Sequence, residues 1–513
     1  MTSIRILLFH TLVLFFTIFS SNIAHAFPTF EKIYQQRVFR FFDLHPDKKG
    51  IHQGLYIDRL SLQKKFKSDQ ELSDKIQTFD SSLANSYLTS TYSSNTIEYW
   101  HDLQLGYGYS NARGFRYLQT QGYGHTQYKG IQGLQSDRGN WGFLKYSADV
   151  NVADFFQITS RTYFRPRQHH LSVENDSLFF IEQLSAGFTL RNLRIQGGKI
   201  PTTWGVGKLN HFLFAAENQA PWEIRLSSLD SYSMPSFLEF LGETRWELFY
   251  AFFDKNQQIP DPHVIGLNFS FMPISNMEFT LGQIFMFGGN GAAQNPLLFF
   301  SEKLVDTGNV NPNRNYLLSF RYQLQELGIE PYFELMGEDC CDPKILRLLH
   351  PRHFMNLVGI HFQKVGSEKI DATFEWMRTN HITYRHGTYS HGLIYKNRLL
   401  GATLGPDGTG VYGRIRFFPN EKYYFEGLFS YEVRGKLGEA TSSGPEIPIE
   451  TVEPEFEFPE QRNTMEINFF SHLSKNFDLI VGAGVEHVIH ENYKKFTSDT
   501  HFLSTLQLRY TFD

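Results

Sequence analysis

From Thr409 to Asp513 the chain alternates apolar and polar residues in successive runs, and the connections between runs are by turns short and long. Val411, Gly413, Ile415 and Phe417 alternate with Tyr412, Arg414, Arg416 and Phe418, and a tight Pro419-Asn420-Glu421-Lys422 turn follows. Tyr423, Phe425, Gly427, Phe429 and Tyr431 then alternate with Tyr424, Glu426, Leu428 and Ser430, ahead of a long acidic loop from about Lys436 to Gln461. Beyond it, Met465, Ile467, Phe469 and Leu473 oppose Glu466, Asn468, Phe470 and His472, and Ser474-Lys475-Asn476 turns the chain into Leu479, Val481, Ala483 and Val485. A medium loop, Glu491 to Asp499, precedes a last run with Leu506, Leu508, Tyr510 and Phe512 on one face and Thr505, Gln507, Arg509 and Thr511 on the other. Alternation with period two predicts β-strands. Strands of roughly ten residues, joined by alternately short and long connections, predict a transmembrane antiparallel β-barrel of the outer-membrane type. Its apolar face meets lipid and its polar face the lumen, with short turns in the periplasm and long loops outside. The barrel has to close, because an open edge in lipid leaves backbone groups unpaired.

The same rhythm runs back to Arg245. Tyr316, Leu318, Phe320, Tyr322 and Leu324 oppose Asn315, Ser319, Arg321, Gln323 and Gln325, and Glu326-Leu327-Gly328 turns the chain. Glu330, Tyr332 and Glu334 face away from Ile329, Phe333 and Leu335, and Ile370, Ala372, Phe374 and Trp376 oppose Asp371, Thr373, Glu375 and Met377. Arg245 to the end holds about 12 strands, and the weaker front part has room for about six more, making about 18. The front strands are expected from near Gly106, in runs at 113–125, 142–151, 154–165, 177–190 and 192–201. The stretch Trp204 to Leu241 reads as irregular. An even strand number returns the C-terminus to the periplasm.

The beginning of the chain follows a different pattern. Arg5 precedes an apolar run from Ile6 to Phe19, and Ala24-His25-Ala26 offers small residues before a cut ahead of Phe27. This predicts a secretory signal peptide over residues 1–26 rather than a membrane helix, and without a Cys at the mature start no lipid anchor is expected. Over 27–95, Phe30, Ile33, Tyr34, Val38 and Phe41, then Leu60, Leu62, Phe66, Leu72, Ile76 and Phe79, recur at helical spacing. They predict a small, mainly helical segment in the periplasm or the barrel mouth, followed by the barrel over 96–513.

Composition changes this picture little. The mean hydropathy of −0.33 looks soluble, as expected where only alternate residues face lipid, and 50 Phe with 26 Tyr suit interfacial girdles. A net charge of −5 gives no reason to expect nucleic acid as a partner. The two cysteines are adjacent, Cys340-Cys341, and read either as a strained vicinal disulfide or as two inert loop thiols. Arg321, Glu334, Asp371, Glu375, Arg414, Arg416, Glu426 and Arg509 fall on the lumen face with both signs represented, which predicts ion-paired filling rather than a charge-selective channel.

Gly198 to Gly207, Ser236 to Gly242 with Trp246, Gly337 to Asp339, and His386 to Gly401 are four stretches that resemble the Wzi family of capsule-assembly outer-membrane proteins. Gly198-Lys199-Ile200-Pro201-Thr202-Thr203-Trp204-Gly205-Val206-Gly207 is similar to the family's stretch ending in Trp-Gly-Pro-Gly, with Val206 in place of the proline. Ser236-Phe237-Leu238-Glu239-Phe240-Leu241-Gly242, then Trp246, resembles the entry to the next family strand, and Gly337-Glu338-Asp339 stands where the family often has Gly-Glu-Asp. His386-Gly387-Thr388-Tyr389 with Gly392, Tyr395, Arg398 and Leu400-Gly401 resembles the family's His-Gly-x-Tyr loop. The resemblance covers roughly 185–420 and implies an 18-stranded barrel with a helical periplasmic part. It also implies a role in holding capsular polysaccharide at the cell surface as a lectin rather than an open pore.

Sugar binding uses exposed aromatic faces beside hydrogen-bonding side chains. Tyr384, Arg385, His386, Tyr389, Tyr395 and Arg398 are therefore carbohydrate-binding candidates, with loop packing as the other reading of the same residues. Trp204, Trp222 and Arg225 are candidates for an inward-folding plug in the lumen. His386 and His391 lack a third ligand, so no metal or cofactor is expected. The glutamates of the acidic loop, Glu446, Glu450, Glu453, Glu455, Glu457 and Glu460, read as a solvated surface. No Gly-x-Ser-x-Gly, His-Glu-x-x-His or phosphate-binding glycine loop is present, so no enzyme is expected. The expected protein sits in the outer membrane of a Gram-negative bacterium, with its loops facing the cell surface. Its partners would be capsular or other surface polysaccharide, outer-membrane lipid and lipopolysaccharide, and an export channel for the polysaccharide. A sugar- or solute-selective porin is the alternative function.

Overall fold

The computed structural model describes residues 97–111, 115–116, 123–124, 139–152, 155–164, 179–214, 220–255, 259–290, 312–338, 354–380, 383–384, 389, 392–396, 398–420, 422–435, 458–474 and 476–512. The signal peptide and the helical segment expected over 27–95 lie outside the described residues, as do Cys340 and Cys341. The wall is formed by β1 Ile97–Ser110, β2 Gly139–Val152, β3 Phe156–Phe164, β4 Phe179–Leu190, β5 Leu193–Lys199 and β6 Trp222–Ser228. It continues with β7 Glu243–Phe252, β8 His263–Ile274, β9 Met277–Phe287, β10 Asn313–Tyr322, β11 Ile329–Glu338 and β12 Met355–Phe362. The last third comprises β13 Ile370–Arg378, β14 Gly408–Phe417, β15 Tyr423–Arg434, β16 Glu460–Ser474, β17 Phe477–Ile489 and β18 Ser498–Thr511. The sheet has 19 members, one of which is the two-residue Tyr232–Ser233 that extends β6 along β7, leaving 18 spanning strands.

Every neighbour in this wall is antiparallel to the next, and β1 pairs with both β2 and β18, so the sheet closes without an edge. In lipid that closure satisfies every wall N–H and C=O that an open sheet would strand. The alternation in the sequence fixes which way each side chain points. On β14 to β16, Val411, Ile415, Phe417, Phe425, Phe429, Met465 and Ile467 face out, whereas Tyr412, Arg414, Arg416, Glu426 and Glu466 are buried inside. Cross-strand rings form a girdle towards the tight-turn end: Phe271, Phe279, Phe320 and Phe333 on β8 to β11 follow one another at 5.2, 5.0 and 5.4 Å between centroids.

Turns at one end are tight. Asn420 Oδ1 accepts the Lys422 N–H at 2.8 Å and closes the β14–β15 turn. The opposite end carries the long connections, which places it outside the cell. Both Ile97 and Phe512 lie at the tight-turn end, where His101 stacks on Phe512 at 4.2 Å.

Several boundaries differ from the sequence expectation. The first strand begins at Ile97 rather than near Gly106. The run at 113–125 adds no wall strand. Phe115–Arg116 and Tyr123–Gly124 instead join Ile394–Tyr395 and Arg398–Leu399 in a separate four-stranded patch that ties the β1–β2 connection to the β13–β14 connection. The stretch read as irregular from Trp204 to Leu241 contains wall strand β6. Its exposure alternates residue by residue from Trp222 to Arg225, a pattern that its Trp, Pro and Ser content obscured. Glu460 does not belong to a solvated loop: it opens β16, fully buried, and accepts from Arg462 Nε at 2.7 Å.

Candidate functional site

After β5 the chain cannot continue as wall. Pro201 lacks the N–H a ladder needs, and the segment 200–214 turns into the lumen. Trp204 and Leu213 bridge to each other across a narrow hairpin, and Leu213 bridges onward to Gly401 of the β13–β14 connection. The tip of this hairpin is held by two wall carboxylates. Glu375 on β13 accepts the backbone N–H groups of Lys208, Leu209 and Asn210 at 2.7, 2.9 and 2.9 Å, and the Asn210 side-chain amide at 2.9 Å. It also accepts the Tyr332 hydroxyl at 2.8 Å. Glu334 on β11 accepts the Gly207 N–H at 2.7 Å and the Phe212 N–H at 3.3 Å. Charged acceptors of this kind make the stronger hydrogen bonds, and here they satisfy a buried turn with few backbone partners of its own.

The glycines are dictated by this clamp. Gly205 has φ of 111°, and a Cβ there would lie 2.1 Å from Glu334 Oε1; a Cβ on Gly207 would lie 1.9 Å from the Asn210 carbonyl oxygen. Only glycine lets the backbone approach so closely.

Below the clamp the hairpin is anchored by charge. Lys208 Nζ lies 2.9 Å from Glu330, and Trp204 Nε1 donates to Glu247, which also faces Arg225. Above it, the apolar side of the hairpin joins the outer half of the wall. Trp204 packs on Phe214 and Phe249 at 5.2 and 5.5 Å between centroids, within a cluster that includes Ala251, Met286, Met336, Met355 and Met377.

The β13–β14 connection folds in over this hairpin. Tyr384 donates its hydroxyl to the Phe212 carbonyl at 2.8 Å and accepts the Ala402 N–H at 2.9 Å. Tyr389 donates to the Gly288 carbonyl at 2.9 Å, and Leu393, Ile394, Leu399 and Leu400 complete the apolar cluster. Burial pushes the Tyr389 and Tyr395 phenols above their ordinary range, so both remain neutral. The hairpin and this connection together make a plug lying against β7 through β14.

A model of the family described as capsule assembly protein Wzi matches residues 112–501. The chain belongs to that family. Among solved structures, Escherichia coli Wzi matches with 14% identity over 92% of this chain and 97% of that one, at a TM-score of 0.66. That protein is described as an outer-membrane protein involved in group 1 capsule assembly and as a carbohydrate-binding β-barrel. Pseudomonas aeruginosa OpdQ matches with 8% identity, covering 81% of this chain and 97% of that one, at a TM-score of 0.45. Curated protein sequences give no significant match.

Within this Wzi-family barrel the residues singled out from sequence take distinct places. Trp204 is at the centre of the plug, fully buried. Arg225 is on wall strand β6 and points inward, where it pairs with Glu223 and Glu247. Trp222 departs from the plug assignment: it lies on the lipid face of β6, 45% exposed, because it stands an odd number of positions from Arg225 on the same strand. Tyr384, Tyr389 and Tyr395 are brought together, at 0%, 1% and 3% exposure, and show no ring face to solvent. Arg398 pairs through its backbone with Tyr395 and Tyr123. Arg385 and His386, like His391, lie outside the described residues. Sequence reasoning placed Glu334 and Glu375 on the lumen face but missed their task as acceptors for the hairpin. The available signal was two glutamates at mid-strand positions with no basic residue beside them in the adjoining ladders.

Proposed function

We propose that this protein holds capsular or a related surface polysaccharide at the outer face of the outer membrane, as a non-catalytic binding barrel whose lumen is plugged. Family membership supports the capsule role, and the fold it shares with a carbohydrate-binding barrel agrees with it. The observation that carries the reading beyond the family is the clamp. Five donors converge on Glu375 and two on Glu334, so the hairpin is built to stay in the lumen. A solute channel needs room along its axis, whereas here the outer half of the lumen beside β7 to β14 holds packed apolar side chains.

Because Tyr384, Tyr389 and Tyr395 serve the plug, the sugar surface is assigned to other residues of the outward connections. Lipid and lipopolysaccharide are the partners of the apolar outer face, and an export channel for the polysaccharide would meet the barrel at its outer or periplasmic end.

Deleting the gene tests the proposal directly. Polysaccharide should leave the cell surface and accumulate in the medium while total synthesis is unchanged. A full coat on the deletion strain would sink the idea. Steady channel steps from the intact protein in planar bilayers would favour the porin reading instead.

A further inference from the structure

Strands β16 to β18, to one side of the plug, carry a second constellation. The connection from β17 to β18 is a compact loop at the outer end: the His490 N–H reaches the Thr497 carbonyl at 2.7 Å, and Thr497 Oγ1 donates to the carbonyls of Glu491 and Lys494 at 3.2 and 2.7 Å. This fold sets Glu491 beside Asp499 and His501 at the start of β18, and one ligand atom from each lies within 4.8 Å of the other two. His501 is fully buried and its Nδ1 is 3.0 Å from Glu486 Oε2. A carboxylate acceptor there fixes the proton on Nδ1 and leaves a lone pair on Nε2. That nitrogen makes no hydrogen bond among the described residues, and it points at Asp499 Oδ2 and Glu491 Oε1, 3.5 and 3.6 Å away.

These separations are too long for good hydrogen bonds. They match the edge of a tetrahedron about a divalent ion, roughly 3.4 Å when each donor sits about 2.0–2.2 Å from the metal. The surrounding charge points the same way. Among the described residues the connected ion pairs hold Glu432, Glu460 and Glu486 with Arg434 and Arg462, all fully buried, and reach Glu491 and the half-exposed Asp499 at the rim. Two rim carboxylates facing a buried imidazole nitrogen, behind a buried cluster that already holds three carboxylates, favour a cation between them.

We propose that Glu491, Asp499 and His501 form a binding site for a divalent transition ion, zinc-like in its preference for one imidazole and two carboxylates, at the outward end of the barrel. Glu486 orients the imidazole from behind, as carboxylates do for metal-bound histidines. One nitrogen among the donors favours such an ion over calcium or magnesium, which take oxygen ligands. Three protein donors leave a further position for water.

Zinc titration of the full-length, chelator-treated protein in detergent, followed by calorimetry, tests the site. One ion per chain is expected, and Co²⁺ in its place should give the visible bands of a four- or five-coordinate ion. D499N and E491Q, at rim positions, should each weaken zinc binding about tenfold or more, and E486Q by about 10–100-fold. No stoichiometric zinc, or equal affinity in the variants, would overturn the site. If a variant fails to refold to the heat-modifiable barrel, X-ray absorption of the zinc-loaded wild type decides. A shell with one imidazole and oxygen donors supports the site, and two or more imidazoles overturn it.

Discussion

Two sectors of the barrel interior solve one problem differently. Along β7 to β14 the outer half of the wall turns small and apolar side chains inward, among them Ala251, Val264, Ile284, Met336 and Leu357, and a segment of the chain fills the space they leave. Along β15 to β18 and β1 to β4 the inward residues are mostly charged or polar, with Trp100, Tyr163, Phe470 and Ile480 interspersed, and the charged ones pair across the wall instead. Arg161 makes a two-pronged contact with Asp149 at 2.8 and 3.1 Å, Lys145 meets Glu182 at 2.5 Å, and Arg509 Nε donates to Asp478 at 2.9 Å. In the first sector stability comes from burial and from hydrogen bonds to a folded-in hairpin. In the second it rests on ions that are tolerable only as complete pairs. The plug can therefore be disturbed while the wall survives, whereas a broken pair strikes the wall itself.

The largest expected effect is Glu375→Leu, which leaves three backbone N–H groups and a tyrosine hydroxyl without their acceptor. Release of the hairpin should cost on the order of 5 kcal/mol of docking free energy. Planar-bilayer recordings should then show open steps where the wild type is silent, with the heat-modifiable barrel retained on unheated gels. Silence in this variant would mean that the clamp does not hold the plug.

Trp204→Ala should cost about 3–5 kcal/mol of plug packing. The measurable consequence is protease cleavage within 200–214 in an otherwise resistant barrel. Unchanged resistance would move the centre of the plug elsewhere.

In the charged sector, Asp149→Asn alone should lower barrel stability by about 3 kcal/mol, because it removes the carboxylate that meets the buried Arg161 guanidinium with two prongs. Asp149→Leu with Arg161→Met should recover most of that loss in urea unfolding, without channel steps. A double variant no better than the single one would erase the proposed difference between the sectors.

The smallest effect is expected from Tyr384→Phe, about 1–2 kcal/mol for its two hydroxyl contacts. It should sensitise the plug to protease and leave the barrel melting temperature in place.

Much of the wall was legible in the sequence, and the reason is local. A strand's side chains alternate whatever lies beyond it, so Tyr423 to Tyr431 or Leu506 to Phe512 declare their two faces without reference to distant residues. Where composition masked alternation, as from Trp222 to Arg225, the strand was overlooked. Where acidic composition suggested solvent, as at Glu460, burial was overlooked because its partner Arg462 stands on the same inward face.

Residue order was enough for a closed barrel of about 18 strands, its inward and outward faces, its outer and periplasmic ends, and the mixed-sign lining that ion pairs would satisfy. Only the folded chain shows that 200–214 enters the lumen, that Tyr384 ties it to the β13–β14 connection, and that Trp222 meets lipid. It alone placed Glu375 under Lys208, a residue 167 positions away, and Glu491 beside His501. Alternation is a property of neighbouring residues, whereas a clamp or a ligand set joins strands whose proximity exists only once the sheet has closed.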